Sequence, residues 1–273
     1  MVNLDYKFSG IIDILNRLKP FNPDIAIILG SGLGSFAKSV KIVKSIPCGS
    51  IESYPLSSVE GHSGFIHFAE IGNKKLLLFE GRIHFYEGFR LSDCLLQTHI
   101  THKLGCKYLI ITNAAGGINN ELHPGSLMLN TSFNSMNIKN ELTEVTGLAD
   151  NYKKDNLLNC PSADLNNIIR TSASSENIDL KEGVYWFNKG PAYETPAEVK
   201  MAKIFGGDAV GMSSAHEAVY AGSLGIETAS ISLITNYAAG ISESKLSHTE
   251  VIDTSEKAKY IFEKLIKRII LNL

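Results

Sequence analysis

Short apolar runs recur along the chain at Ile25–Leu29, Lys75–Phe79, Tyr108–Thr112, Ser126–Leu129, Val184–Phe187, Asp208–Met212 and Thr228–Thr235, each of a length that suits a strand. Segments with apolar residues at helical spacing separate many of them, as at Leu91–Leu104, Ala163–Ala173 and Pro196–Phe205. The tail Thr249–Leu271 puts Ala258, Phe262, Leu265, Ile266 and Ile269 on one stripe and reads as an amphipathic closing helix. This alternation predicts an α/β fold in which a central, partly parallel mixed sheet is flanked by helices. No internal repeat and no Pro/Gly/Ser linker divides the chain, so residues 1–273 are expected to form one domain. The stretch Asn130–Cys160 is rich in asparagine and weakly periodic, and is expected as a surface excursion.

Three helix starts carry the spelling of a capping box: Thr195-Pro-Ala-Glu198, Ser214-Ala-His-Glu217 and Ser247-His-Thr-Glu250. Glu198, Glu217 and Glu250 are therefore expected as caps first. Each of these helices follows a strand or a polar loop, and ligands of open α/β sheets collect where strands end and helices begin.

Composition narrows the function classes. Hydrophobic content of 44%, charged content of 20% and a net charge of −2 are those of an ordinary globular protein, with no basic footprint for nucleic acid. The four cysteines are scattered, with no C-x-x-C pair, which suits a reducing compartment. No apolar stretch approaches the ~20 residues of a spanning helix, and the first residues lack the apolar core of a signal peptide. A soluble, cytoplasmic protein is expected.

The chemistry concentrates in a few stretches. "GSGLG" at 30–34 follows the first apolar run and is either an anion-holding loop or a sharp strand-to-helix turn. It fails the dinucleotide fingerprint at its third glycine and the phosphate-loop pattern for want of Gly-Lys-Ser/Thr. "EGRIHFYEG" at 80–88 puts Arg82, His84 and Tyr86 on one side if the backbone stays extended, and arginine's planar fork suits phosphate. "GHSG" at 61–64 sets His62 between small residues, and the small residues of "TNAAGGIN" at 112–119 would let a ligand approach the backbone or merely form a turn. In "NKGPAYETPAEV" Glu194 precedes the capping threonine, which leaves it able to contact something else. His99 and His102 sit three apart without the surroundings of a metal site, and no G-x-S-x-G elbow is present.

Taken in order, "GSGLG", "GHSG", "EGRIHFYEG", "TNAAGGIN", "GPAYETPAE", "GDAVGMS" and "TNYAAG" resemble the motifs of the trimeric, low-molecular-mass purine nucleoside phosphorylases, over residues 25 to 250. The resemblance implies phosphorolysis of a purine nucleoside to free base and pentose 1-phosphate, as in purine salvage, by a homotrimer. By matching position it implies a phosphate site of Ser31, His62, Arg82, His84, the backbone at Ala115, and Ser213. Tyr86 and Met212 would line the ribose, with His248 at its 5′-hydroxyl. Glu194 and Asn236 would hold the purine, Tyr193 would flank it, and Glu87 would orient His84. Phosphate enters as co-substrate, and no cofactor or metal is expected. Partners are the nucleoside and phosphate, with no nucleic acid and no membrane.

These residue types suit the reaction. Phosphate is the nucleophile, so the protein must position it and stabilise charge on the departing base. Asn236 can donate to ring nitrogen 7 as that charge develops. A carboxylate at Glu194 can accept the ring N–H of a 6-oxopurine, which adenine lacks, so inosine and guanosine are expected over adenosine; the methylthioadenosine-directed relatives carry aspartate in place of Asn236. His248, in the first turn of its helix, is expected as neutral imidazole. The chain departs from the family pattern in "NTSFNSMNIKNELTEVTGLADNYKKDN", where the family covers the sugar with an aromatic side chain lent by a neighbouring subunit; Phe133 and Tyr152 are the candidates here. It departs again at His216, which replaces a proline as the second residue of its helix, and at Ala192. The alternatives are a methylthioadenosine- or xanthosine-directed phosphorylase and a nucleoside-binding relative with reduced catalysis.

Overall fold

The computed structural model describes residues 2–59, 63–147, 150–242 and 248–273, with the backbone alone for 248–252. The strands are β1 Ile25–Leu29, β2 Lys41–Pro47, β3 Phe65–Ile71, β4 Lys74–Glu80, β5 Tyr108–Gly117, β6 Leu127–Asn134, β7 Leu180–Phe187, β8 Ala209–Gly211 and β9 Glu227–Tyr237. The α-helices are α1 Leu4–Lys7, α2 Ser9–Leu18, α3 Leu91–Cys94, α4 Leu96–Lys103, α5 Lys139–Thr146, α6 Asn151–Leu158, α7 Ala163–Ser175, α8 Pro196–Ile204, α9 Ala215–Ser223 and α10 His248–Asn272.

The continuously apolar β1 is buried on both faces, as a strand at the centre of a helix-covered sheet should be. Its period of two sends Ala26 and Ile28 into one core with Leu77, Phe79, Leu109 and Ile111, under Ile11 and Leu15 of α2 and Ala218 of α9. Ile25, Ile27 and Leu29 join Leu76, Leu78 and Ile110 in the opposite core, covered by Leu165 and Ile169 of α7 and the Phe262–Ile269 stripe of α10. The α/β layering and the closing helix are as the pattern predicts. Among the described residues, no helix is long and apolar enough to cross a membrane.

All the described strands belong to one mixed sheet of order β2-β3-β4-β1-β5-β8-β7-β6-β9. β9 also pairs with β5, so β5, β8, β7, β6 and β9 close into a ring. β1 runs parallel to β4 and β5, and β5 parallel to β9, so the carboxyl ends of four strands emerge together. Along β5 the neighbour changes: β1 pairs with its first half up to Ile111, and β8 pairs with Gly116 and Gly117. The register against β9 slips between Ala115 and Gly116 at this fork.

Several elements differ from the sequence expectation. β2 and β3 carry no isolated apolar run; β2 is an edge strand with exposed Lys41, Val43 and Ser45 and a register shift near Lys44, features that guard an open edge. Leu91–Leu104 is interrupted at Leu95, yet Leu95 N–H bonds the Leu91 carbonyl and His99 N–H bonds Leu95, so the axis continues. Asn130–Cys160 is no featureless excursion: it completes β6 and forms α5 and α6, with Leu142 and Val145 of α5 buried. The glycine loop leads into a 3-10 helix, Gly34–Ser39, that packs Phe36 edge-on against Phe262.

Gly30 serves the crossing of two strands. A Cβ there would lie 2.6 Å from the Thr112 carbonyl oxygen and 2.8 Å from Asn113 Cα, both backbone atoms of β5 that cannot swing aside. Gly30→Ala is expected to destabilise the protein by about 1–3 kcal/mol through overpacking, read as a lower urea midpoint with unchanged slope; an unchanged midpoint would show that β1 and β5 separate without cost.

Candidate active site

The Ile28 and Leu29 end of β1 delivers the glycine loop to the top of the sheet. Leu33 N–H closes on the Gly30 carbonyl at 3.0 Å, and Gly32 takes a φ of 75°, a left-handed conformation that glycine adopts without strain. The turn leaves Ser31 on the wall of a cavity of about 220 Å³. β4, the neighbour of β1, delivers Arg82 and His84 to the same cavity.

Arg82 is 2% exposed and anchored from three directions. Its Nη1 donates to Ser213 Oγ at 2.8 Å and Ser214 Oγ at 3.1 Å, and its Nη2 donates to the Thr112 carbonyl at 2.8 Å. Glu217 Oε2 lies 3.5 Å from Nη2. This geometry corrects the expected capping box at Ser214. That residue has a φ of 66° and makes no side-chain cap bond, because its hydroxyl faces Arg82, and Glu217 lies beside the guanidinium as well as near the Ser214 backbone. Burial pushes the Glu217 carboxyl up, and the neighbouring Arg82 charge opposes that rise. The box at Thr195 forms as spelled, with Glu198 bonding back to Thr195 at the start of α8. Ser247 and the Glu250 side chain lie outside the described residues.

The backbone does not stay extended after His84. Phe85–Glu87 form a short 3-10 helix, which turns Glu87 back beneath His84. Glu87 Oε1 meets His84 Nδ1 at 2.9 Å and accepts the His84 backbone N–H at 3.1 Å. Ser57 Oγ, Ser58 N–H and Ser58 Oγ also donate to this carboxylate. Burial works against its charge, but the His84, Ser58 and Ser57 hydrogen bonds prevail and bring its pKa to about 2. An ionised carboxylate only accepts, so His84 carries its proton on Nδ1. Tyr86 stacks on the His84 ring with centroids 4.6 Å apart. Burial, aided by the Glu87 charge, pushes the Tyr86 phenol up to about 12.

The fork of β5 supplies the cavity floor through Ala114, Ala115 and Gly116; Met212 and Ser213 follow β8, and Thr235 and Asn236 lie near the end of β9. Asn236 Nδ2 donates to the Tyr237 carbonyl at 2.9 Å and its Oδ1 accepts from Thr235 at 2.9 Å, which fixes the amide orientation. The strap after β7 adds Tyr193, 44% exposed, and Glu194, 8% exposed, whose Oε1 accepts from Asn188 Nδ2 at 2.8 Å.

Ser31, Arg82, His84, Tyr86, Ala115, Tyr193, Glu194, Met212, Ser213 and Asn236 thus share one cavity, although they are spread over most of the chain. Glu87 stands behind it on His84. His62 lies outside the described residues, as does the His248 side chain, although His248 begins α10. Neither Phe133 nor Tyr152 reaches this chain's cavity: Phe133 packs edge-on against Tyr185, and Tyr152 is exposed. His216 is buried edge-on against Phe187, 5.4 Å between centroids, where burial and the Arg82 and His84 charges lower its pKa to about 3. His99 is also buried, with Nδ1 3.0 Å from the Tyr220 hydroxyl. Sequence reasoning missed Glu217, whose capping-box spelling hid its approach to Arg82. It also missed Ser57 and Ser58, which lie in no motif, and the role of Asn188, which opens the "NKGPAYETPAEV" stretch but is not singled out by it.

The Phosphorylase superfamily family model matches residues 24–271. Purine nucleoside phosphorylase 1 of Geobacillus stearothermophilus is 38% identical over 255 residues, 93% of each chain. That of Bacillus subtilis is 37% identical over 251 residues, covering 92% of this chain and 93% of its own. The crystal structure of Schistosoma mansoni purine nucleoside phosphorylase in complex with inosine is similar with a TM-score of 0.89 at 30% identity, covering 100% of this chain and 98% of that one. The adenosine complex from the same organism has a TM-score of 0.87 at 31% identity, covering 98% of both chains. The chain belongs to the phosphorylase superfamily. Its place there is among the purine nucleoside phosphorylases, a family of pentosyltransferases.

The Glu87 carboxyl binds its proton more weakly in the folded than in the unfolded chain, so its contribution to stability is complete above the ordinary value of 4.5 and is lost as the pH falls toward 2. Glu87→Gln should lower stability at neutral pH and flatten the acid-unfolding curve in that window. An unchanged pH dependence would show that the Glu87 carboxylate gains nothing from the hydrogen bonds around it.

Proposed function

We propose that this chain cleaves 6-oxopurine nucleosides with inorganic phosphate, releasing the base and a pentose 1-phosphate. The observation that carries this reading is that anion-suited groups (Ser31, Arg82, His84, Ser213) and base-suited groups (Glu194, Asn236) meet in one cavity. A phosphate oxygen forms the new bond to the anomeric carbon as the bond to the purine nitrogen breaks, and the electron pair leaves with the base.

Ser31, His84 and Ser213 hold the phosphate, with Arg82 behind them and the Ala115 backbone below. Ser213 accepts from Arg82 through its oxygen, and its own hydrogen can turn from the Ser214 hydroxyl 3.3 Å away to a phosphate oxygen. His84, with its Nδ1 proton on Glu87, presents the opposite nitrogen. Tyr86 and Met212 line the sugar and Tyr193 flanks the base. Asn236 has one amide hydrogen on the Tyr237 carbonyl, and its second reaches ring nitrogen 7 as negative charge develops there. Glu194 accepts the ring N–H that a 6-oxopurine offers and adenine lacks. His62 and His248 complete the phosphate and 5′-hydroxyl ends. The reaction uses no cofactor or metal, and the protein works in the cytoplasm as a homotrimer.

The test is base release from inosine with and without phosphate. Strict phosphate dependence is expected; equal release without phosphate would make the protein a hydrolase, and tight binding without turnover a binding protein. Inosine should exceed adenosine in kcat/KM by on the order of 10⁴. Because a Schistosoma mansoni relative forms an adenosine complex, turnover rather than binding is the measure, and comparable rates overturn the preference. Asn236→Ala should lower kcat on inosine about 10²–10³-fold, and Asn236→Asp should abolish that activity. Ser31→Ala should raise the KM for phosphate about tenfold, and an unchanged value would return the glycine loop to the status of a turn.

A further inference from the structure

We propose that Asn188, locked by Asn137, is a positioning residue that sets the Glu194 carboxylate for a 6-oxopurine; the inference rests on the base-binding role of Glu194 proposed above. Asn188 follows β7 and donates Nδ2 to Glu194 Oε1 at 2.8 Å. Asn137, in the turn before α5, donates its own Nδ2 to the Phe187 carbonyl at 3.3 Å and to Asn188 Oδ1 at 3.0 Å.

One backbone group sets the polarity of the whole relay. The Phe187 carbonyl has no hydrogen to give, so the end of Asn137 that faces it must be the NH₂. The same NH₂ faces Asn188, which therefore turns its oxygen toward Asn137 and its own NH₂ toward Glu194. Glu194 consequently meets a donor on Oε1, and its second oxygen is left as an acceptor. A second tie fixes the same strap to α5, where Lys189 Nζ meets Glu141 Oε1 at 2.6 Å. Asn137 and Glu141 both belong to the asparagine-rich stretch that departs from the family pattern. That stretch acts here as a buttress for the base end of the site.

The consequence is selective. A carboxylate held in one rotamer loses little further freedom when a base binds, so the hydrogen bond to the ring N–H is gained at small entropic cost. Adenine has no hydrogen at that ring nitrogen and gains nothing from the arrangement. Removing the relay should therefore weaken 6-oxopurines alone.

The experiment is calorimetric binding of hypoxanthine and adenine to the full-length protein and to Asn188→Ala, Asn188→Asp and Asn137→Ala, alongside steady-state kinetics with inosine. For Asn188→Ala, the Kd of hypoxanthine and the KM of inosine should rise about tenfold, with kcat within about threefold and both adenine affinity and the phosphate KM unmoved. Asn188→Asp keeps the shape but sets an acceptor against Glu194, so it should weaken hypoxanthine further. Asn137→Ala, at an exposed position, should act in the same direction with a smaller effect. Hypoxanthine binding by Asn188→Asp equal to that of the unmodified protein overturns the relay, as does equal weakening of hypoxanthine and adenine. If neither Asn188 variant folds, unchanged hypoxanthine selectivity in Asn137→Ala overturns it. Failure of the proposed reaction appears separately, as absence of phosphate-dependent base release by the unmodified protein whatever the variants bind.

Discussion

The buried guanidinium of Arg82 joins the parts of the protein that have to meet. It leaves the end of β4, crosses to the Thr112 carbonyl on β5, and holds Ser213, Ser214 and Glu217 at the start of α9. A charge removed from water is tolerable only when its hydrogen bonds are made, and removal of one partner of a buried pair typically costs about 3–5 kcal/mol. That constraint explains why Ser214 keeps an unfavourable left-handed backbone with its hydroxyl on Arg82, and why Glu217 is buried beside the cation. The same cation lines the cavity, so the core and this end of the cavity share a single set of contacts.

The closed ring of β5, β8, β7, β6 and β9 determines where that cavity can lie. β5 loses β1 as a neighbour after Ile111 and gains β8 at Gly116, and in the gap its backbone faces ligand space. Four parallel strand ends supply side chains from one direction, while the strap after β7 adds Tyr193 and Glu194 on another. The two ends of the cavity are built differently. At the Arg82 end, the 3-10 helix Phe85–Glu87 sets Glu87 on His84, and donors from Ser57 and Ser58 hold that carboxylate. At the Glu194 end, a relay of amides from Asn137 through Asn188 reaches in from an otherwise divergent segment.

What the sequence determined by itself was whatever depends on residues close together in the chain. β1 was legible to the residue because five apolar side chains precede a glycine turn, and the Thr195 cap because its partner is three residues away. The described members of the site were legible through ordered motifs, each of which keeps its chemistry within a few positions. The tertiary structure alone decided contacts that join distant residues: Arg82 with Ser213, 131 positions apart, or Asn137 with Asn188, 51 positions apart. It decided that β2, with its exposed lysine, would pair as an edge, since edge pairing is a property of the neighbouring strand as much as of its own composition. It also decided between two readings of one local pattern, because Ser214 and Glu217 spell a cap as clearly as Thr195 and Glu198 do. A buried cation beside the former, and only solvent beside the latter, is the physical reason they differ.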